Sequence, residues 1–317
     1  MLLPNCSETS ILNQRSPTIL KYPEQSMATV AVDSVANPKH TPLQARLALK
    51  FAEDAGTTRL VSRDHYGPLL VQKPLYPEGR KVCHVVIIHP PGGVVGGDQL
   101  ELTAHIGSSA HAQITTPGAT KWYKANGHVS HQKIRISLEN DASLEWVPQE
   151  TIFYNNADVR IDHEVTLEDN AIYAGCEILC FGRTASGESF NKGQISQRTS
   201  IKHNNKMIWL EQIRLNGESP SMNGPLALSG KTVCATFIAT VKTLPQSLID
   251  VTREEMAKVT QNDPGARVGL SQLKSVIVAR YMGDSSEIAR HVMLSVWGSL
   301  RPEILNRTAI VPRMWST

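Results

Sequence analysis

Seven side chains in this sequence have the types and positions to do chemistry. Glu145, Glu150 and Glu177 lie in or beside apolar segments, Glu188 and Glu211 lie in motif-like segments, Asp98 ends a glycine-rich run, and His89 stands just before it. A carboxylate on a largely buried surface must be paired, solvated or functional. The bland reading pairs each with an arginine such as Arg183 or Arg214. The functional reading takes them together as the walls of a wet internal passage. Oxygen and imidazole ligands with water between them bind a divalent transition metal weakly enough to release it, whereas thiolates would hold it. A second functional reading makes Asp98, His89 and Glu150 the acid–base groups of an enzyme site around the glycine loop.

A closed metal site does not fit the spacing. His84 and His89 have opposite parity on a strand and point to opposite faces. Cys176 and Cys180 share a face but stand about 13 Å apart along a strand, too far for one ion with sulfurs at about 2.3 Å. Cys83 reads as a buried thiol. A hydrolase serine fits no better: Gly187-Glu188-Ser189-Phe190 is followed by Asn191, where a nucleophile elbow needs glycine.

The loop itself is Pro90-Pro91-Gly92-Gly93-Val94-Val95-Gly96-Gly97-Asp98. Such a run must turn tightly and take positive φ more than once, and it lets another backbone or a ligand come close. It is not a phosphate loop, because Asp98 follows Gly97 where lysine is needed, and its glycines do not fit the dinucleotide fingerprint. Lys121 and Lys124 flank Trp122-Tyr123 in what reads as a loop. With a net charge of only +3, these anchor a turn or a protein interface rather than nucleic acid.

The elements that position these residues are mostly strands. In Val129–Leu138, Ile134, Ile136 and Leu138 alternate with polar residues. In Val159–Leu167 the same period holds, with His163 intruding. Val85–Ile88, Ala171–Phe181 and Thr232–Val241 are apolar on both faces and read as central strands. Helices are expected only late. Thr252-Arg253-Glu254-Glu255 has the form of a capping box, with a helix to about Val259. Ser285 caps a second, carrying Ile288, Val292, Val296 and Leu300, until Pro302 stops it. A strand, Ser275–Tyr281, lies between. There is no fixed-period repeat.

The chain has 317 residues, 41% of them hydrophobic, enough for one large globular domain or two small ones. No apolar run approaches the roughly 20 residues of a membrane span. The five cysteines, Cys6, Cys83, Cys176, Cys180 and Cys234, are odd in number and unclustered, which points to reduced thiols in the cytoplasm. Residues 1–42 are polar, aperiodic and without signal-peptide features. They read as a disordered N-terminal extension, with residues 1–26 lying upstream of the start at Met27.

Several independent motifs occur in one order: Val71 to Gly79 (VQKPLYPEG), Cys83-His84, His89-Pro90-Pro91-Gly92-Gly93, Thr115 to Lys121 (TTPGATK), Leu144 to Glu150 (LEWVPQE), Gly182-Arg183 with Gly187-Glu188, and Pro312-Arg313-Met314-Trp315. Together they resemble the UreD (UreH) family of urease accessory proteins, from about Leu43 to Trp315. Leu43 replaces a usual tryptophan, and Gln212 a usual arginine. The resemblance implies a mainly β fold, a β-helix-like stack of sheets with two helices near the C-terminus, in one domain over residues 43–317. It implies a chaperone, not an enzyme, that binds apo-urease with UreF and the GTPase UreG and helps deliver Ni²⁺. No tightly held cofactor, nucleic acid or membrane is expected, only transient nickel passage. Glu150, Glu177, Asp98 and His89 are the candidate residues for that path. The alternatives are a purely structural β scaffold and the Asp98/His89/Glu150 enzyme.

Overall fold

Period-two alternation becomes, in the computed structural model, a chain of strands with a helix pair at its end. The structure describes residues 41–312 and Trp315. The expected disorder of residues 1–40, the start at Met27, Cys6, Arg313 and Met314 lie outside the described residues. The strands are β1 (Gln44–Asp54), β2 (Thr57–Tyr66), β3 (Leu70–Val71), β4 (Val82–Ile88), β5 (Gln99–Ile106), β6 (His111–Thr115), β7 (Thr120–Trp122), β8 (Ser130–Leu138), β9 (Ser143–Trp146) and β10 (Thr151–Phe153). There follow β11 (Ala157–Leu167), β12 (Ile172–Phe181), β13 (Gly193–His203), β14 (Lys206–Asn216), β15 (Val233–Thr240), α1 (Gln246–Val259), β16 (Arg267–Gln272), β17 (Val276–Gly283) and α2 (Ser286–Leu305).

The strands form two sheets. One has the order β14-β13-β11-β8-β5-β1-β2, the other β16-β17-β15-β12-β9-β6-β4-β3. The chain passes back and forth between them, so each coil adds one strand to each sheet. β5, β8, β11 and β13 are parallel in the first sheet, and β4, β6, β9 and β12 in the second. A parallel pair needs a crossover, and here the crossover is the other sheet's strand. This is a β-solenoid of stacked coils. Gln99 pairs with His131, Ser130 with Val159, and Val159 with Ile195. The intervals are unequal, so no fixed repeat marks the sequence. β2 and β14 close the first sheet with antiparallel partners, and β15, β17 and β16 extend the second.

Burial follows parity. Cys83, Val85, Ile87, Ala112, Ile114, Leu144, Trp146, Tyr173 and Leu179 face the other sheet and form the inner core with Leu102, Ile134, Ile161 and Ile195. The opposite face of the second sheet, with Ala174, Cys176, Ile178, Cys180 and Ala235, packs beneath α2 through Val292, Met293, Val296 and Leu300.

Both helices depart from the sequence reading at one end. α1 begins at Gln246, after Pro245 at φ −58°, so Thr252 is no cap: it is fully buried inside the helix and donates to the Leu248 carbonyl at 2.7 Å. Proline's fixed φ and the apolar Leu248–Ile249 start the helix earlier than the local box suggests. Ser285 does cap α2, accepting from the Ile288 N–H at 3.2 Å. Pro302 does not stop it. The helix runs to Leu305 because Arg301 ties its last turn to the second sheet, a tertiary hold that outweighs one lost backbone hydrogen bond.

Candidate functional site

The glycine loop is built by two different demands. Gly92 (φ 78°) and Gly97 (φ 96°) take the left-handed conformation. Gly93 and Gly96 do not; they are glycine because a Cβ would run into the Tyr123 ring and Asn126. Val94 forms a parallel bridge to Trp122. Asp98 is buried, and its carboxylate accepts from the Leu43 N–H at 2.8 Å and the Val95 N–H at 2.9 Å. It fastens the loop to the start of β1.

Between the sheets, beside this loop, lies a cavity of about 300 Å³ whose apolar wall is broken by His89, Gln132, Gln149, Glu177 and Gln197, with Lys121, Thr116, Thr120 and Thr151 also on its wall. Parity explains the members that stand on strands, Gln132, Glu177 and Gln197. Gln132 shares the inward phase of Ile134, and Gln197 that of Ile195 and Ile201. The glutamines are the polar residues that sequence reasoning missed, and they were visible as breaks in an apolar phase. Glu177 is held from the facing sheet by the His163 ring (Nδ1 to Oε1, 3.2 Å) and the Gln197 amide. Tyr173 steadies the other ring nitrogen at 3.4 Å. His89 Nε2 and Gln197 Oε1 are buried and have no hydrogen-bond partner among the described residues. Burial pushes the His89 pKa below its ordinary value, against the pull of the Asp98 charge, and neutral imidazole is the metal-binding form. Carboxylate, amide oxygen and neutral imidazole in a space large enough for several waters suit a hydrated cation held weakly. Among the described residues, no group of three or more His, Cys, Asp or Glu is placed to hold a metal ion.

The other candidates are placed elsewhere. Glu150 does not line the cavity; it pairs with Arg290 of α2. Of Asp98, His89 and Glu150, only His89 lines the cavity; Asp98 is engaged by backbone N–H groups and Glu150 by Arg290. Glu145 pairs with Arg301, Glu188 with Arg183 at 2.6 Å and Glu211 with Arg280 at 2.6 Å. Arg183 is a partner as expected. Arg214 pairs with none of these glutamates; Arg280, Arg290 and Arg301, from the C-terminal elements, supply the rest. His84 binds Glu78 at 2.7 Å. Cys176 and Cys180 lie under α2, and burial pushes the Cys180 thiol up to about 12. Trp122 is no exposed anchor: it sits on β7 and is fully buried, while Tyr123 packs edge-on against Tyr154 at 5.0 Å.

Comparison with known proteins identifies relatives over most of the chain. Residues 43–316 match the family model described as UreD urease accessory protein. The chain is 58% identical over 277 residues to the urease accessory protein UreD of Nitrosospira multiformis, covering 87% of this chain and 99% of that one. It is 56% identical over 274 residues to that of a Janthinobacterium species, covering 86% and 92%. It is 40% identical over 284 residues to that of Dechloromonas aromatica, covering 89% and 98%. Among the described residues, no helix is long and apolar enough to cross a membrane. With a family model spanning nearly all of the described chain and relatives matched over almost their full length, this chain belongs to the UreD urease accessory protein family.

Proposed function

We propose that the chain acts in urease maturation as a nickel conduit. It binds apo-urease together with UreF and the GTPase UreG, and Ni²⁺ crosses its interior between the two sheets. One observation carries this reading: Glu177 lines one cavity between the sheets together with His89 Nε2 and Gln197 Oε1, which have no partner among the described residues. A buried polar atom without a partner costs stability unless water or an ion reaches it. In this reading Glu177 and His89 are wall groups of the path, Asp98 holds His89's loop, and Glu150 anchors α2. Residues 43–317 act as one domain in the cytoplasm, in keeping with the free thiols of Cys83, Cys176, Cys180 and Cys234.

The test is Glu177→Gln, which keeps the shape and removes the charge. Nickel per urease active site should fall while UreF, UreG and urease still co-purify with the chain. Normal nickel with intact complexes would leave a purely structural scaffold as the better account.

A further inference from the structure

Two rows of polar side chains run along the stack of coils, one on each sheet. On the second sheet Glu177 lies opposite Thr236, Thr236 opposite Arg280, and Arg280 opposite Gly269. Directly opposed antiparallel residues share a face, so all four positions face inward. On the first sheet His163 lies beside Thr199 and Thr199 opposite Glu211. The rows touch at both ends. Glu177 meets His163 at 3.2 Å, and Arg280 meets Glu211 at 2.6 Å. Acid and base exchange sheets from one end to the other. Arg280 also donates to the Thr236 hydroxyl at 3.2 Å.

Beyond the second contact lies a solvent-open cavity of about 500 Å³, lined by Glu211, Cys234, Arg267, Gly269 and Arg280. Gly269 stands beside Arg280 on the edge strand. A Cβ there would meet nothing within 4 Å, and its φ is not left-handed. The site has no conformational need for glycine, and the space is empty.

We propose that the interior has a second mouth at Gly269, gated by the Arg280–Glu211 pair. This inference rests on the passage reading above. The guanidinium is a tethered cation at the end of the row. A dication arriving from Glu177 is repelled by it until Arg280 swings into the space beside Gly269, which frees the Glu211 carboxylate to accept the ion. The pair thus keeps the row electrically satisfied when empty and opens by exchange of one cation for another.

The test uses the full chain in its complex with UreF, UreG and apo-urease, with limiting Ni²⁺ and nickel per urease active site followed in time. Gly269→Leu fills the mouth without changing charge and should slow loading about tenfold. Arg280→Gln removes the tethered cation and should speed loading about tenfold, by the Coulomb energy of one charge at such range. Arg280→Lys, which keeps the charge, should restore the original rate, a recovery that a merely structural role for Arg280 would not produce. Glu177→Gln separates the two readings. If it slows loading while Gly269→Leu and Arg280→Gln leave the rate unchanged with complexes intact, the passage stands and the gate is overturned. If Glu177→Gln changes nothing, the passage reading fails and the gate falls with it. Loss of the complex in Gly269→Leu, with Arg280→Gln silent, also overturns the gate and marks the mouth as a docking surface.

Discussion

Arg301 of α2 forks onto Glu145 of β9, Nε to Oε2 at 2.8 Å and Nη2 to Oε1 at 2.9 Å, with neither side chain exposed to solvent. The same guanidinium reaches Glu78 at 2.8 Å, and the Trp297 indole donates to Glu145 at 2.7 Å. His111 and His84 complete the cluster against the two carboxylates. A buried pair of this kind contributes little over an apolar isostere, but removing one partner strands the other. Glu145→Gln should therefore cost about 3–5 kcal/mol in urea denaturation. Glu145→Leu combined with Arg301→Met should cost clearly less than the sum of the single changes. Strict additivity would show that the fork is not an energetic unit.

Acid should attack the same point. Burial alone would raise the Glu145 pKa, but hydrogen bonds and charge from His111 and Arg301 outweigh it and hold the group at about 2, against an ordinary 4.5. A carboxyl depressed in the folded state stabilises fully above its unfolded pKa, and that stability is lost as pH falls toward the folded value. The chain should lose on the order of 3 kcal/mol as pH falls from about 5 toward 2, read from denaturation midpoints. Glu145→Gln should flatten this dependence. An identical slope in the variant would place the acid sensitivity elsewhere.

The glycine loop invites a comparison of its two demands. Gly97→Val forces a β-branched residue into left-handed backbone and should cost about 1–3 kcal/mol. Gly97→Asn, which tolerates that conformation, should cost less. Gly93→Ala fails for lack of room, so Tyr123→Ala should partly restore it. Equal melting temperatures for Gly97→Val and Gly97→Asn would remove conformation as the reason for glycine there.

The inward face of α2 supplies a fourth prediction. Val292 is fully buried against the second sheet. Val292→Asp should prevent soluble folding or lower the melting temperature sharply, since an unpaired buried charge has no nearby compensation. An unchanged melting temperature would show the helix free of the sheet.

Strands were legible where one face is apolar, as in Val159–Leu167, because side-chain parity is a local property. Glu177 of the cavity and its partner His163 were legible as polar intrusions into apolar strands. The solenoid was not, because its coils differ in length; the motif resemblance supplied it. Thr252 and Pro302 misled because capping and breaking rules are local, whereas Pro245 and the Arg301 anchor decide where the helices run. Glu150 and Glu145 find their arginines 140 and 156 residues away, and no spacing rule reaches that far. Only the fold brings Arg290 and Arg301 over β9 and the segment after it.

The strict alternation of β12 bears on how this chain can change length. Glu177 looks into the interior while its neighbour Cys176 looks toward α2. A single-residue insertion inside β12 would turn every following side chain to the opposite face, sending thiols inward and the interior's leucine outward. Insertions at the corners, between one sheet and the other, would leave both faces as they are. Length variation in such a protein is thus confined to the corners of its coils, and the strands that line the interior must keep their residue count.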